Sequence, residues 1–224
     1  MTPPPPGSTL YNADCLDIMR EMPDKSVDLV ITDPPYGIKE SNEQNQTRGN
    51  LAKSIDYGHY DWDNQPAAKE HFNELFRISK NQIIFGGNYF DLPPSPCWLV
   101  WDKDNGSNDF ADAELAWTSF NTAVRIFKYR WNGMLQEDMA HKEIRFHPTQ
   151  KPVKLFEWII RNYAKEGDII CDLFFGSGAC LVAAVRMGYR FIGIEKEKIY
   201  FDKAKARIEN AQRQGKLSSW GVLA

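Results

Sequence analysis

Four cysteines are spread over the 224 residues, and no two of them stand as a CxxC pair. That rules out a disulfide framework and the cysteine-rich metal sites. Cys15, Cys97, Cys171 and Cys180 read instead as small buried thiols of a reducing compartment. Histidine is as scarce, with four in the chain. His141 and His147 have no matching cysteine or carboxylate spacing, so no metal is expected. Long apolar runs are missing: none approaches the ~18 residues that a membrane-spanning helix needs. Met1 to Ser8 is a proline-rich tail, not a signal peptide. An excess of charge of one sign is also lacking, since 27 basic and 30 acidic residues leave a net charge of −3. A globally basic nucleic-acid binder is thereby excluded, and any basic surface must be local. There are no internal repeats.

What is present is enough for one full core, because 42% of the residues are hydrophobic. Val27 to Thr32 is an apolar, β-branched run that suits a strand buried on both faces of a parallel sheet. Further strands are expected at Thr9 to Asn12, Gln82 to Phe85, Cys97 to Trp101, Ala113 to Thr118, Thr122 to Phe127, Ile169 to Asp172 and Arg190 to Glu195. Helices fall between them: Cys15 to Met22, Pro66 to near Ser79 with the proline in the first turn, Pro152 to Ala164, Gly178 to Met187 and Ile199 to Gln214. Such alternation predicts an α/β fold with a mostly parallel sheet. Ala113 to Thr118 and Thr122 to Phe127 read as an antiparallel hairpin broken at Ser119 to Asn121. Gly37 to Asp61 is long, polar and rich in Asn, Gln and Gly, which marks a functional loop. Within it, about Ile38 to Gly58 is expected to be mobile until a bound partner orders it. One domain is predicted over residues 9–215, with tails at 1–8 and 216–224. Residues 9–146 form its first half and 147–215, with the glycine-rich stretch at 176–178, its second.

Two motifs follow strands. Asp33-Pro34-Pro35-Tyr36 ends the first. An exocyclic base amine feeds its lone pair into the ring and is a poor nucleophile. Two acceptors aimed at its hydrogens would make it more tetrahedral and more reactive. Asp33 offers a carboxylate oxygen. Pro34 and Pro35 lack N–H groups and stiffen the turn, which leaves a carbonyl free to face the base. Tyr36 offers a flat stacking face. The plainer reading is a Pro-Pro turn with a packed tyrosine.

Asp172-Leu173-Phe174-Phe175-Gly176-Ser177-Gly178 ends the second strand and opens a helix, where open α/β sheets bind ligands. A dinucleotide is disfavoured. Leu181 stands where GxGxxG needs a small residue, and Asp172 would repel a pyrophosphate. S-adenosylmethionine has no phosphate and is cationic, so the acid helps. Glu195 ends the next strand, where a carboxylate can accept two ribose hydroxyls. Asp14 can accept from an adenine amino group, or simply cap the helix that follows it.

The chain resembles the β-class amino-methyltransferases of DNA. The resemblance rests on Asp33-Pro34-Pro35-Tyr36, on Phe174-Phe175-Gly176-Ser177-Gly178 and on His147-Pro148-Thr149-Gln150-Lys151-Pro152. The catalytic motif precedes the cofactor loop, as it does in that class. SVDLVITDPPYG from Ser26 and FIGIE from Phe191 match its style, and the likeness runs from Leu10 to Gln214. It implies a circularly permuted, Rossmann-like S-adenosylmethionine-dependent methyltransferase fold with a mostly parallel seven-stranded sheet. It assigns catalysis to Asp33, Pro34, Pro35 and Tyr36. Asp14, Cys15, Asp33, Asp172, Phe174, Phe175, Gly176, Ser177, Gly178 and Glu195 would hold S-adenosyl-L-methionine. Thr149 and Lys151 would lie near its methionine end. Asp at position 33, where Ser is the other choice, favours adenine N6 as the acceptor. Ala13 replaces a glycine common in the family. Only Lys128 to Phe146 stands where relatives carry a large target-recognition segment.

DNA with a flipped target base is the expected partner. Lys128, Arg130 and Arg145 belong to a basic stripe that also reads as an ordinary solvated face. Arg48 and Lys53 would add to it from the long loop. A homodimer and a restriction endonuclease as functional partner are both compatible, and a cytoplasmic location in a bacterial or phage-infected cell follows. The alternatives are cytosine-N4 methylation of DNA, adenine-N6 methylation of RNA, and a non-catalytic nucleic-acid-binding subunit.

Overall fold

The computed structural model describes residues 7–38, 65–106, 111–132 and 135–220. Arg48, Lys53 and almost all of the long polar loop lie outside these residues. In chain order the elements are β1 (Thr9–Tyr11), α1 (Cys15–Glu21), β2 (Val27–Thr32), α2 (Lys69–Ile78), β3 (Ser79–Phe85), β4 (Trp98–Asp102), β5 (Ala113–Thr118), β6 (Arg125–Lys128), β7 (Trp131–Asn132), β8 (Leu135–Gln136), α3 (Val153–Tyr163), β9 (Ile169–Asp172), α4 (Ala179–Arg186), β10 (Arg190–Ile194) and α5 (Lys198–Trp220).

Eight strands form one sheet in the order β1-β10-β9-β2-β3-β5-β4-β6. From β1 to β3 all neighbours are parallel, and Leu29 of β2 pairs with Ile170 of β9. β5 runs antiparallel to both β3 and β4. α1 and α2 pack on one face through Cys15, Met19, Phe72, Leu75 and Ile78. α3, α4 and α5 cover the other through Ile159, Leu181 and Ile208. Burial on both faces explains why β2 shows no apolar–polar alternation. The chain leaves β9 toward β10 and leaves β2 toward β3. The β2–β9 boundary is therefore a topological switch point, and the motif loops sit at its carboxyl end.

Three expectations are corrected. Among the described residues the sheet has eight strands rather than seven, because β6 pairs with β4 at the edge. β5 and β6 do not form a hairpin. Both edges of β5 are taken by β3 and β4, so β6 lies parallel to β4, with Leu99 opposite Arg125. Ser119 stays on β3, with its N–H donating to Gln82 O (3.0 Å) and its hydroxyl accepting from Gln82 N (2.9 Å). Finally, Pro66 does not open α2. It bridges to Tyr36, and Ala67 N donates to Pro35 O at 3.1 Å, so the helix starts at Lys69. The terminal helix runs past Gly215 to Trp220. All four cysteines are free and buried.

Candidate active site

A cavity of about 390 Å³ opens where β2 and β9 end. Its floor is the glycine loop. Asp172 closes β9, and its Oδ1 accepts from Thr32 Oγ1 (3.1 Å) and from Phe174 N (3.3 Å). Gly176 and Gly178 have φ of +45° and +72°, in the region that favours glycine. A Cβ on Gly176 would lie 3.1 Å from the His147 ring, and one on Gly178 3.1 Å from Ala204 Cβ. The hexapeptide and the glycine loop, distant in sequence, are thus in contact. Thr149 Oγ1 lies 3.2 Å from His147 Nδ1. Burial holds the His147 imidazole down to about 3, so it is neutral.

Glu195 follows β10. Its Oε2 accepts from Gly176 N (2.9 Å) and its Oε1 from Glu197 N (2.7 Å). The backbone thus fixes the carboxylate toward the cavity and leaves further lone pairs for a ligand. Burial pushes both Glu195 and Asp172 up to about 7, despite backbone bonds that oppose the rise. Asp14 caps α1: its Oδ1 accepts from Leu16 N at 3.0 Å, and its Oδ2 takes Lys196 Nζ at 3.0 Å. The capping role is therefore present, and Asp14 also lines the cavity. Burial pushes the Cys15 thiol up to about 12, so it serves as packing. Asp14, Cys15 and His71 bring ligand atoms within 4.8 Å of one another.

Asp33 stands at the end of β2. Its Oδ1 accepts from the Tyr36 hydroxyl and its Oδ2 from Lys151 Nζ. Burial lifts the Asp33 carboxyl, while Lys151 and Tyr36 oppose the rise. The Pro35 carbonyl is occupied by Ala67 N, whereas the Pro34 carbonyl has no hydrogen bond among the described residues. The Tyr36 ring stacks on Tyr89 at 4.8 Å and 15°. Lys151 also meets Glu114 Oε2 at 3.2 Å, and Glu114 Oε1 meets Lys103 Nζ at 2.5 Å. Burial alone would raise the Glu114 carboxyl, but the two lysines take it down to about 2.

The structure gathers most of the predicted residues around this cavity. Asp14, Cys15, Asp33 and Pro35 line one part, Thr149 and Lys151 a second, and Asp172, Phe174, Phe175, Gly176, Ser177 and Glu195 the remainder. Pro34, Tyr36 and Gly178 support the wall without lining it. Lys128 and Arg130 stand elsewhere, paired with Asp104 at 2.8 and 2.6 Å. Arg145 donates to Pro148 O (3.1 Å) and lies over the Trp131 ring. Sequence reasoning missed Glu114, Lys103, Tyr89 and His71. Glu114 left one trace, a lone acid in the apolar run Ala113 to Trp117.

An α/β sheet whose glycine loop, strand-end acids and Asp-Pro-Pro-Tyr turn meet around one cavity at the switch point defines a ligand-binding site of the open α/β class. Residues 93–206 match the model of a protein family described as DNA methylase. The chain belongs to that family. It is 28% identical over 241 residues to the Type II methyltransferase M2.DpnII of Streptococcus pneumoniae, covering 89% of each chain. It is 25% identical over 248 residues to the Type II methyltransferase M.HinfI of Haemophilus influenzae, covering 90% of this chain and 68% of that one. The fold is shared with the M1.HpyAVI–SAM complex, with a TM-score of 0.54, 24% identity, and 89% and 98% of the two chains covered. It is shared too with the PvuII DNA methyltransferase, titled cytosine-N4-specific, with a TM-score of 0.57, 16% identity, and 93% and 92% covered.

Proposed function

We propose that the protein transfers a methyl group from S-adenosylmethionine to the N6 amine of adenine in DNA. One observation carries this reading. Asp33 lines the same cavity that Glu195 and the glycine loop line, and the carbonyl of Pro34, the next residue in the chain, takes no hydrogen bond among the described residues. Amine acceptors and a cofactor-type wall therefore share one space.

The donor set fits the cofactor. Asp33, Asp172 and Glu195 make the wall acidic, which suits a cation and disfavours a phosphate. Glu195 would take ribose hydroxyls on the lone pairs that the backbone leaves open. Asp14 and Cys15 form an edge suited to the adenine end. When bound, the cofactor supplies an electrophilic methyl group on a positively charged sulfur.

The chain's own residues prepare the amine. Asp33 accepts one of its hydrogens and the Pro34 carbonyl the other. With both hydrogens held, the nitrogen lone pair is drawn out of the ring. The charge of Asp33 faces the positive charge that builds on the nitrogen. The target base must leave the duplex to reach this point. Tyr36 already stacks with Tyr89, so an incoming base either extends that stack or replaces Tyr89 in it. Asp at position 33 supports adenine over cytosine.

Expression in a methylation-free host, followed by mapping of modified bases on its genome, tests this reading. N6-methyladenine is expected. N4-methylcytosine would overturn the choice of base, and an unmodified genome would overturn the activity.

A further inference from the structure

Four charged side chains form an alternating series beside the cavity: Asp33, Lys151, Glu114 and Lys103. They come from the end of β2, the segment before α3, the strand β5 and the turn after β4. Lys151 is 5% exposed and bonds Asp33 on one side. On another it faces Glu114 at 3.2 Å. Beneath it lies the Phe85 ring, 4.8 Å from Nζ. Glu114 is in turn fixed by Lys103 at 2.5 Å. Among the described residues Asp33 Oδ1 accepts from the Tyr36 hydroxyl alone, so it retains acceptor capacity.

Resting on the amine-methylating reading above, we propose that Glu114 is a positioning residue for methyl transfer, acting through Lys151. A buried lysine with a single carboxylate partner is drawn across both of that partner's oxygens. There it would compete with the amine for Asp33. A second carboxylate on its far side divides the attraction and confines Lys151 to Oδ2, and Oδ1 is left for the substrate. Glu114 has this effect without reaching the substrate. The arrangement also explains a half-buried acid in an otherwise largely apolar strand, which would be costly without such partners.

The test compares Glu114→Gln, Glu114→Asp, Lys151→Gln and the double variant Glu114→Gln/Lys151→Gln with the wild-type protein. The readouts are single-turnover rate, KM for DNA, and cofactor affinity by calorimetry. Glu114→Gln is expected to lose on the order of tenfold in rate, with KM and cofactor affinity within about twofold. Glu114→Asp should recover part of the loss. The double variant should be no slower than Lys151→Gln alone, because the effect travels through Lys151. An unchanged rate in Glu114→Gln would overturn the proposal. So would a loss confined to KM or cofactor affinity, or a double variant slower than Lys151→Gln by the full Glu114 factor. If Glu114→Gln does not fold, the comparison of the double variant with Lys151→Gln still decides. A wild-type protein without methyl transfer would overturn the amine-methylating reading and this proposal together. An active wild type with an unaffected Glu114→Gln would overturn this proposal alone.

Discussion

Raising the pH from about 6 to about 8 should tighten cofactor binding about tenfold through Glu195 alone. The carboxyl is buried and pushed up to about 7, so the free protein carries it largely protonated at the lower pH and ionised at the higher. Ribose hydroxyls donate to the ionised form. If only that form binds, the apparent dissociation constant scales inversely with the ionised fraction, which rises about tenfold across this window. Asp172, also near 7, adds to the same trend. His147 is held near 3 and adds nothing. Fold stability moves the other way. Each of these carboxyls has a folded pKa above its unfolded value, so the folded chain binds more protons between the two. Stability should fall as pH rises from about 4.5 toward 7. Calorimetric titration with S-adenosylmethionine across the window measures the affinity, with Glu195→Gln as the comparison. Any slope from the cofactor's own amine or from Asp172 persists in that variant, and the difference isolates Glu195. An equal slope in the two proteins would refute the assignment of Glu195 as the hydroxyl acceptor.

Four further outcomes are expected. Asp33→Ala should abolish methyl transfer while cofactor binding persists, and Asp33→Asn should be severely impaired, since an amide is the weaker acceptor; substantial turnover by the alanine variant in a label-transfer assay would contradict this. Tyr36→Phe should slow transfer about tenfold with little change in KM for DNA, because it keeps the ring and loses only the hydroxyl bond to Asp33; equal steady-state rates would show that the hydroxyl is idle. Gly86→Ala should cost about 1–3 kcal/mol in a denaturant melt and weaken DNA binding, since Gly86 has φ +64° and a Cβ there would lie 2.1 Å from the Tyr36 ring. Charge reversal of Lys128 with Arg130 should weaken binding to all DNA sequences alike and reduce its salt dependence; a loss restricted to one sequence in gel-shift titrations would point to base contacts instead.

The parallel half of the sheet was readable because its strands are buried on both faces and end in motifs. Val27 to Thr32, Ile169 to Asp172 and their loops carry both signals, and they are found where expected. The antiparallel end was less legible. The run Thr122 to Phe127 shows strand propensity but not which edge it joins, and that choice depends on β5 already being paired on both sides. Pro66 shows the same limit, since a local helix-start signal gave way to a bridge with Tyr36. In the site, residues placed by strand ends and turns were legible in position, and Asp33, Gly176 and Glu195 all line the cavity. Those placed by tertiary packing were not legible. Nothing local tells Glu114 that Lys151 will lie beside it, or Tyr89 that it will stack on Tyr36. The capping role of Asp14 was readable from the sequence, and the residue also lines the cavity.

The central claim is that Asp33 activates an adenine amine in DNA for methylation. Purified protein incubated with unmethylated duplex DNA and methyl-labelled S-adenosylmethionine, followed by digestion to nucleosides and mass spectrometry, tests it most directly. Label in N6-methyl-2′-deoxyadenosine, lost in Asp33→Ala, is the predicted result. Label in N4-methyl-2′-deoxycytidine, or adenine labelling that survives the loss of Asp33, would contradict it.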